Sequence, residues 1–179
     1  MNEKEMMLVE GMKRLRVIEK RVGNNSAHIS NYASMVSTEK PLFETEGKQK
    51  KEIHKLIQSN KDLLDEYLIL KKRIEYTNLS VSVEMGGRTY AISDLLVIKR
   101  KLASMMINTY NSLNDKQGQQ RLRGSYSEST TGQRPHVVRL YKEEDKIEGL
   151  QKWQDLEDNI ESRLEVINAT TPLMSLPSS

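Results

Sequence analysis

Apolar residues recur at seven-residue intervals over much of this chain, and the phase of that recurrence sets out its elements. In the first segment, Glu3 to Val36, the residues Leu8, Leu15, Val22, Ile29 and Val36 stand seven apart. That spacing predicts a helix with a narrow, coiled-coil-like seam. Gly23-Asn24-Asn25-Ser26 interrupts the seam and predicts either a break or a kink, with Ser26 capping a second piece. Pro41 and Gly47 mark the loop that follows. From Glu46 to Tyr76 the pattern is clearest: Ile53, Asn60, Tyr67 and Ile74 hold one heptad position, and Leu56, Leu63 and Leu70 hold the other. Repeats sustained this far predict a helix on the order of 45 Å long, packed along another at a shallow angle. Asn60 is the polar exception. A buried amide in a seam is destabilising unless paired, and it can fix register and copy number; a half-exposed Asn at the seam edge is the other reading.

The period then changes from helical to two. Leu79, Val81, Val83 and Met85 alternate with Ser80, Ser82 and Glu84, which predicts a strand with one wet face. Gly86-Gly87 supplies both positive-φ residues of a type I′ turn. Closing the chain there sets Val83 opposite Tyr90 and Val81 opposite Ile92, so the apolar faces of the two arms coincide. A hairpin of this size, spanning residues 79–92, is marginal alone in water. Its apolar side must rest on adjoining helices or on a neighbouring subunit, which makes Val81, Val83, Tyr90 and Ile92 candidate interaction residues.

Ser93-Asp94 predicts the start of another helix, reaching Leu113 with Leu95, Ile98, Leu102, Met105, Met106 and Leu113 turned inward. Residues 114–136 are polar and punctuated by glycine, and predict a flexible loop or an arm ordered by a partner. Arg121, Arg123 and Arg134 make this stretch locally basic. "HVVRLY" reads as a short extended piece or a helix lead-in. A last helix, Lys142 to Asn168, places Ile147, Leu150, Trp153, Leu156 or Glu157, Ile160, Leu164 and Ile167 on one stripe, and the proline-bearing tail has no helical period. The fold expected is therefore mainly α: an elongated antiparallel bundle of about four long helices, one inserted β-hairpin and a flexible loop. Its expected parts are a helical region with the hairpin tip over 1–113, the loop over 114–136, and a C-terminal helix and tail over 137–179, all within one domain.

Composition narrows what such a fold can do. With 36% apolar residues, one Trp and one Phe, the chain is thinly supplied for a compact core. Long helices of this kind bury their remaining apolar stripes against copies of themselves, so a homo-oligomer or other structural proteins are the expected partners. The net charge of +3 is mild, and Lys and Arg alternate with Glu and Asp. Nucleic acid is thus a possible partner but not the favoured one. Cysteine is absent, which excludes disulfides, zinc-thiolate sites and thiol catalysis. "MNEKEMMLVEGMKRLR" lacks the apolar core of a signal peptide, and no run reaches the ~20 apolar residues of a membrane span. Cytoplasmic synthesis without export is the expectation, with a virion as a further location.

No chemistry emerges from the motifs. His28, His54 and His136 are scattered without metal-type partners at helical spacing, so no metal or other cofactor is expected. Gly86-Gly87 lies inside a hairpin and is followed by Arg88, which is not a phosphate-binding loop. No serine sits in a nucleophile elbow or a Ser-x-x-Lys arrangement. No catalytic residue is assigned, and the chain is expected not to be an enzyme. The pairs Met6-Met7 and Met105-Met106 read as core fill or as adaptable contact surface.

Thr77-Asn78, Gly87-Arg88-Thr89, Lys99-Arg100, and Leu156 to Ile160 with Asn168 follow the layout of a family of small bacterial and phage-borne helical proteins, some of them described as septicolysin-like. That pattern runs helix, Thr-Asn, strand, Gly-Arg-Thr hairpin, helix, variable loop and final helix. The chain resembles it over most of Glu46 to Leu173, and departs from it at Tyr76 and at Ala169, where the family carries Trp. The resemblance implies an α-helical, oligomer-prone protein without assigned catalytic residues. Three functions are then in view: a structural assembly protein such as a phage or virus-like particle component; a nucleic-acid-associated accessory protein; and a membrane-active toxin.

Overall fold

The computed structural model describes residues 5–124 and 135–177. It is mainly α-helical with one two-stranded antiparallel hairpin. The chain divides into two compact units, the first holding residues up to Ile92 together with Glu165 onward, the second Ser93–Leu164.

The first unit is built on two helices, α1 (Leu8–Tyr32) and α2 (Glu46–Ser80). They run antiparallel, with Arg14 meeting Glu66, Asn25 meeting Asn60 and Tyr32 meeting Gln49. Leu8, Gly11, Leu15 and Ile18 of α1 and Leu70 and Ile74 of α2 are buried between them. Leu70, Ile74 and Leu173 converge on Gly11, where a Cβ would stand in ordinary contact at 3.4–3.5 Å from each. Glu10 reaches back to accept a 2.8 Å bond from Met7 N, and Thr45 Oγ1 accepts from Lys48 N to cap α2.

The expected break at Gly23–Ser26 does not occur, and α1 is continuous through it. A helical Gly costs about 1 kcal/mol; breaking the helix there would forfeit the seam contacts of Val22, Asn25 and Ile29, all half-buried. Ser26 makes no cap: its hydroxyl donates back to Val22 O at 2.9 Å. The seam ends sooner than its spacing suggests, because α1 stops at Tyr32 and leaves Val36 57% exposed.

The hairpin comprises β1 (Ser82–Met85) and β2 (Arg88–Ala91), with Val83 paired to Tyr90 and Glu84 to Thr89. Gly86 and Gly87 have φ of 59° and 74°, as a type I′ turn requires. The strand is shorter than expected: α2 extends to Ser80, so Leu79 and Ser80 belong to the helix and Leu79 is exposed. Ile92 N donates to Val81 O at 3.1 Å, which closes the hairpin against the end of α2.

The second unit holds α3 (Ile92–Val97, from Ser93 on), a π-helical turn (Ile98–Leu102), α4 (Ala103–Asn111), α5 (Lys116–Gly124) and most of α6 (Glu143–Thr170). α4 and α6 are antiparallel, with Lys99 bonded to Glu161 at 2.8 Å and the Tyr110 ring laid on Gly149. Leu95, Ala103, Ile160 and Leu164 are buried. The π turn corrects the expected inward face. It inserts one extra residue into the helix, so everything after it rotates by one position. Ala103 and Met106 therefore turn inward, while Leu102 and Met105 are 44% and 62% exposed. Ile147, expected on the inward stripe of α6, is 60% exposed.

The segment expected as a flexible loop contains α5. Asn114 Oδ1 accepts from Lys116 N at its start, and Val137 packs on Gly118 so closely that a Cβ there would lie 2.8 Å away. The stretch after it, 135–142, is irregular.

Candidate interaction site

Three polar side chains sit in the helical seam of the first unit, and each holds a neighbouring segment. Gln49, Leu56, Leu63, Leu70 and Thr77 are spaced by sevens, so Gln49 and Thr77 occupy the two ends of a leucine row. Both are buried. Gln49 Nε2 donates to Tyr32 O at 2.8 Å and its Oε1 accepts from Leu42 N at 3.0 Å, tying down the connection between α1 and α2. Phe43 closes the same connection edge-on to Tyr32, with ring centres 4.9 Å apart. Thr77 accepts from Met174 N at 3.0 Å and donates to Arg73 O at 2.8 Å.

At that end the C-terminal tail is stitched down rather than loose. Met7 and Pro172 form a β-bridge, Leu8 N donates to Thr171 O, and Leu173 N donates to Met6 O. The Arg73 guanidinium donates to the carbonyls of Leu173 and Met174 at 3.0 Å each. Leu173 supplies the apolar anchor and is buried. Thr77, which belongs to the Thr-Asn motif of the sequence, is thus a tail anchor.

Asn60 lies mid-seam and is half-buried. Its Oδ1 accepts from Asn25 Nδ2 at 2.8 Å, with Ser59 Oγ at 3.4 Å from the same nitrogen. The partner that a seam amide requires is therefore present, and it comes from the segment expected to break α1. Two further pairs flank the seam. Arg14 grips Glu66 through two bonds of 2.6 and 2.7 Å. The hydrogen bond from Arg14, reinforced by its charge and that of Arg21 and opposed by burial, holds the Glu66 carboxyl below its usual range. The same bond raises Arg14. Tyr67 donates to Glu19 at 3.0 Å, which pushes its phenol up.

α2 also carries apolar residues that the other described residues leave partly exposed. Ile57, Leu64 and Leu68 are 38%, 53% and 53% exposed. At ~100° per residue they fall within about 40° of one another, roughly 120° around the helix from the row of Leu56, Leu63 and Leu70. Leu79 continues the stripe and is 67% exposed.

The hairpin residues are brought together, but not as a free finger. Val81, Val83 and Tyr90 are half-buried on one face, and Ile92 is turned fully inside at 1% exposure. Arg121 and Arg123 lie exposed in the last turn of α5, and neither has an ionic partner among the described residues. Arg134 lies outside the described residues. Asp115, just before α5, has its carboxyl held low by the Gln119 side chain first and then by its own backbone and Arg139, against the effect of burial.

Sequence reasoning missed Gln49, Thr77, Asn25 and Arg73. The first two were readable as the polar ends of the leucine row, and Asn25 as the α1 residue seven after Ile18. Arg73 carries no such signal. Among the described residues no group of three His, Asp or Glu side chains can hold a metal ion, and no helix is long and apolar enough to cross a membrane. No protein-family model matches the chain, and no curated protein or solved structure matches it either.

Proposed function

We propose that this protein is a non-enzymatic structural component that works by assembling, with copies of itself or with other structural proteins such as those of a phage or virus-like particle. The observation that carries this reading is the second apolar stripe of α2. One face of the helix is covered by α1, whereas Ile57, Leu64, Leu68 and Leu79 remain in water. A run of large apolar side chains aligned on a helix is a contact surface more often than a solvated one. Burying the exposed half of each contributes on the order of 1 kcal/mol at ~25 cal/mol per Å². Counted over both sides of a pair, that only offsets the cost of association, estimated at ~4–15 kcal/mol. The contact therefore belongs at the weak end, and its test needs protein at tens of micromolar, about where such an interface fills.

The test is light scattering across that range on the native chain and on Leu64→Glu/Leu68→Glu. The native chain is expected to gain mass with concentration. The variant is expected to stay monomeric with unchanged helicity, since both residues are exposed. A native chain that is well folded yet monomeric throughout would overturn the reading.

A second reading, a nucleic-acid-associated accessory protein, is favoured by Arg121 and Arg123, exposed in one turn without carboxylate partners among the described residues. It requires binding to a labelled duplex that falls steeply with salt. Absent or salt-insensitive binding removes it.

A further inference from the structure

The second unit carries two helix faces of opposite net charge whose spacings match, and among the described residues no ion pair engages either. On α5, Lys116, Gln120 and Arg123 share one exposed face. The opposite face of that helix is occupied, with Gly118 against Val137 and the Asp115 carboxylate 3.5 Å from Arg139. On α6, Glu148, Gln151 and Asp155 line an open groove of ≈ 910 Å³, which Glu144 and Lys152 also line, so that its balance of charge is acidic. All three are exposed, and they lie on the side of α6 away from Gly149 and Ile160. Gln151 Nε2 donates to Asp155 Oδ1 at 2.7 Å and orients that carboxylate.

Read backwards, the α5 face steps by three and then four residues, from Arg123 to Gln120 to Lys116. Read forwards, the α6 face makes the same steps, from Glu148 to Gln151 to Asp155. An antiparallel approach therefore puts Arg123 on Glu148, Gln120 on Gln151 and Lys116 on Asp155 in consecutive layers. We infer that α5 of one copy docks antiparallel on this face of α6 in a second copy. The occupant is a second copy because the matching basic helix belongs to this chain, while in its own copy Arg139 bridges Asp115 and Glu143 and, among the described residues, no ion pair joins the two faces. The inference rests on the assembly reading above and names one of its contacts. Ion pairs at such a surface select partner and orientation, with apolar contacts supplying the affinity.

The absence of cysteine makes the contact directly testable. Two single-cysteine variants, Gln120→Cys and Gln151→Cys, are given tags of different mass, mixed and oxidised. A mixed disulfide dimer is expected, at least about tenfold above that from Ser112→Cys mixed with Gln151→Cys; the geometry of a disulfide tolerates only close pairs. Lys116→Glu/Arg123→Glu is expected to weaken self-association about tenfold, the size typical of like-charge juxtaposition, as is Glu148→Lys/Asp155→Lys, and mixing the two variants is expected to restore it. Cross-linking at the control level overturns the inference. If self-association nevertheless persists and is lost in Leu64→Glu/Leu68→Glu, the assembly reading survives without this contact. A native chain that never self-associates overturns both.

Discussion

Thr77 offers the sharpest test of how the first unit is held together, because one buried hydroxyl joins α2 to the C-terminal tail. Thr77→Val keeps the volume and the β-branch while removing the hydroxyl at a fully buried site. Met174 N–H then loses its acceptor among the described residues, 3.0 Å away. Leaving a donor of that kind unsatisfied costs about 1–3 kcal/mol. The Arg73 carbonyl, which also accepts from the hydroxyl, keeps its helical N–H partner, so its loss is the smaller one. The added methyl recovers part of the difference, leaving a net destabilisation of about 1–2 kcal/mol. Local opening should then be about five- to thirtyfold more frequent, by the rule that ~1.4 kcal/mol is a factor of ten. Amide hydrogen exchange reads this directly. The amides of Met174, Leu173 and Leu8 are expected to exchange faster in Thr77→Val, with those of Asn25 and Asn60 unchanged. Thr77→Ser retains the hydroxyl and is expected to keep protection at Met174. The reasoning is wrong if valine leaves exchange at Met174 unaltered, or if serine accelerates it as much as valine does.

Further predictions concern the pairs that set register and packing. In a urea double-mutant cycle on Asn25→Ala and Asn60→Ala, the coupling energy is expected near 1 kcal/mol, as for a net hydrogen bond. A value within ~0.3 kcal/mol of zero would show that the two amides act separately. Gly149→Ala would place a methyl inside the Tyr110 ring, so thermal melting should show a loss of about 1–3 kcal/mol, largely relieved by adding Tyr110→Ala. The Arg14–Glu66 pair gives a pH dependence of definite sign. The Glu66 pKa is lowered in the folded state, so its contribution is complete above the ordinary value of 4.5 and is lost as pH falls through the lowered one. The two side chains are 34% and 42% exposed, which limits that contribution to about 1 kcal/mol or less. Urea titrations from pH 7 down to 3 should therefore show a steeper acid loss in the native chain than in Glu66→Gln; parallel curves would refute the pairing.

What the sequence determined by itself is periodic and local. Residues spaced by sevens, Leu8, Leu15, Val22 and Ile29 on one side and Leu56, Leu63 and Leu70 on the other, are enough to specify two helices with facing seams. Gly86-Gly87 specifies the hairpin and the pairing of Val83 with Tyr90, because few other residues accept two consecutive positive φ angles. Tertiary structure decided wherever a distant contact outweighed a local preference. Gly23 and Ser26 remain helical because α2 lies alongside, and the tail is fixed because Arg73 and Thr77 hold carbonyls and an amide about a hundred residues away in the chain. The inward face of α4 was decided by one extra residue in the π turn, which no count of apolar positions distinguishes from an ordinary helix. The outer stripe of α2 follows the same logic in reverse: Ile57, Leu64 and Leu68 have the spacing of core residues, and only the fold shows that the other described residues leave them partly exposed. Helical period and turn geometry are properties of neighbouring residues, whereas burial is a property of what comes to lie opposite, and only the folded chain supplies that.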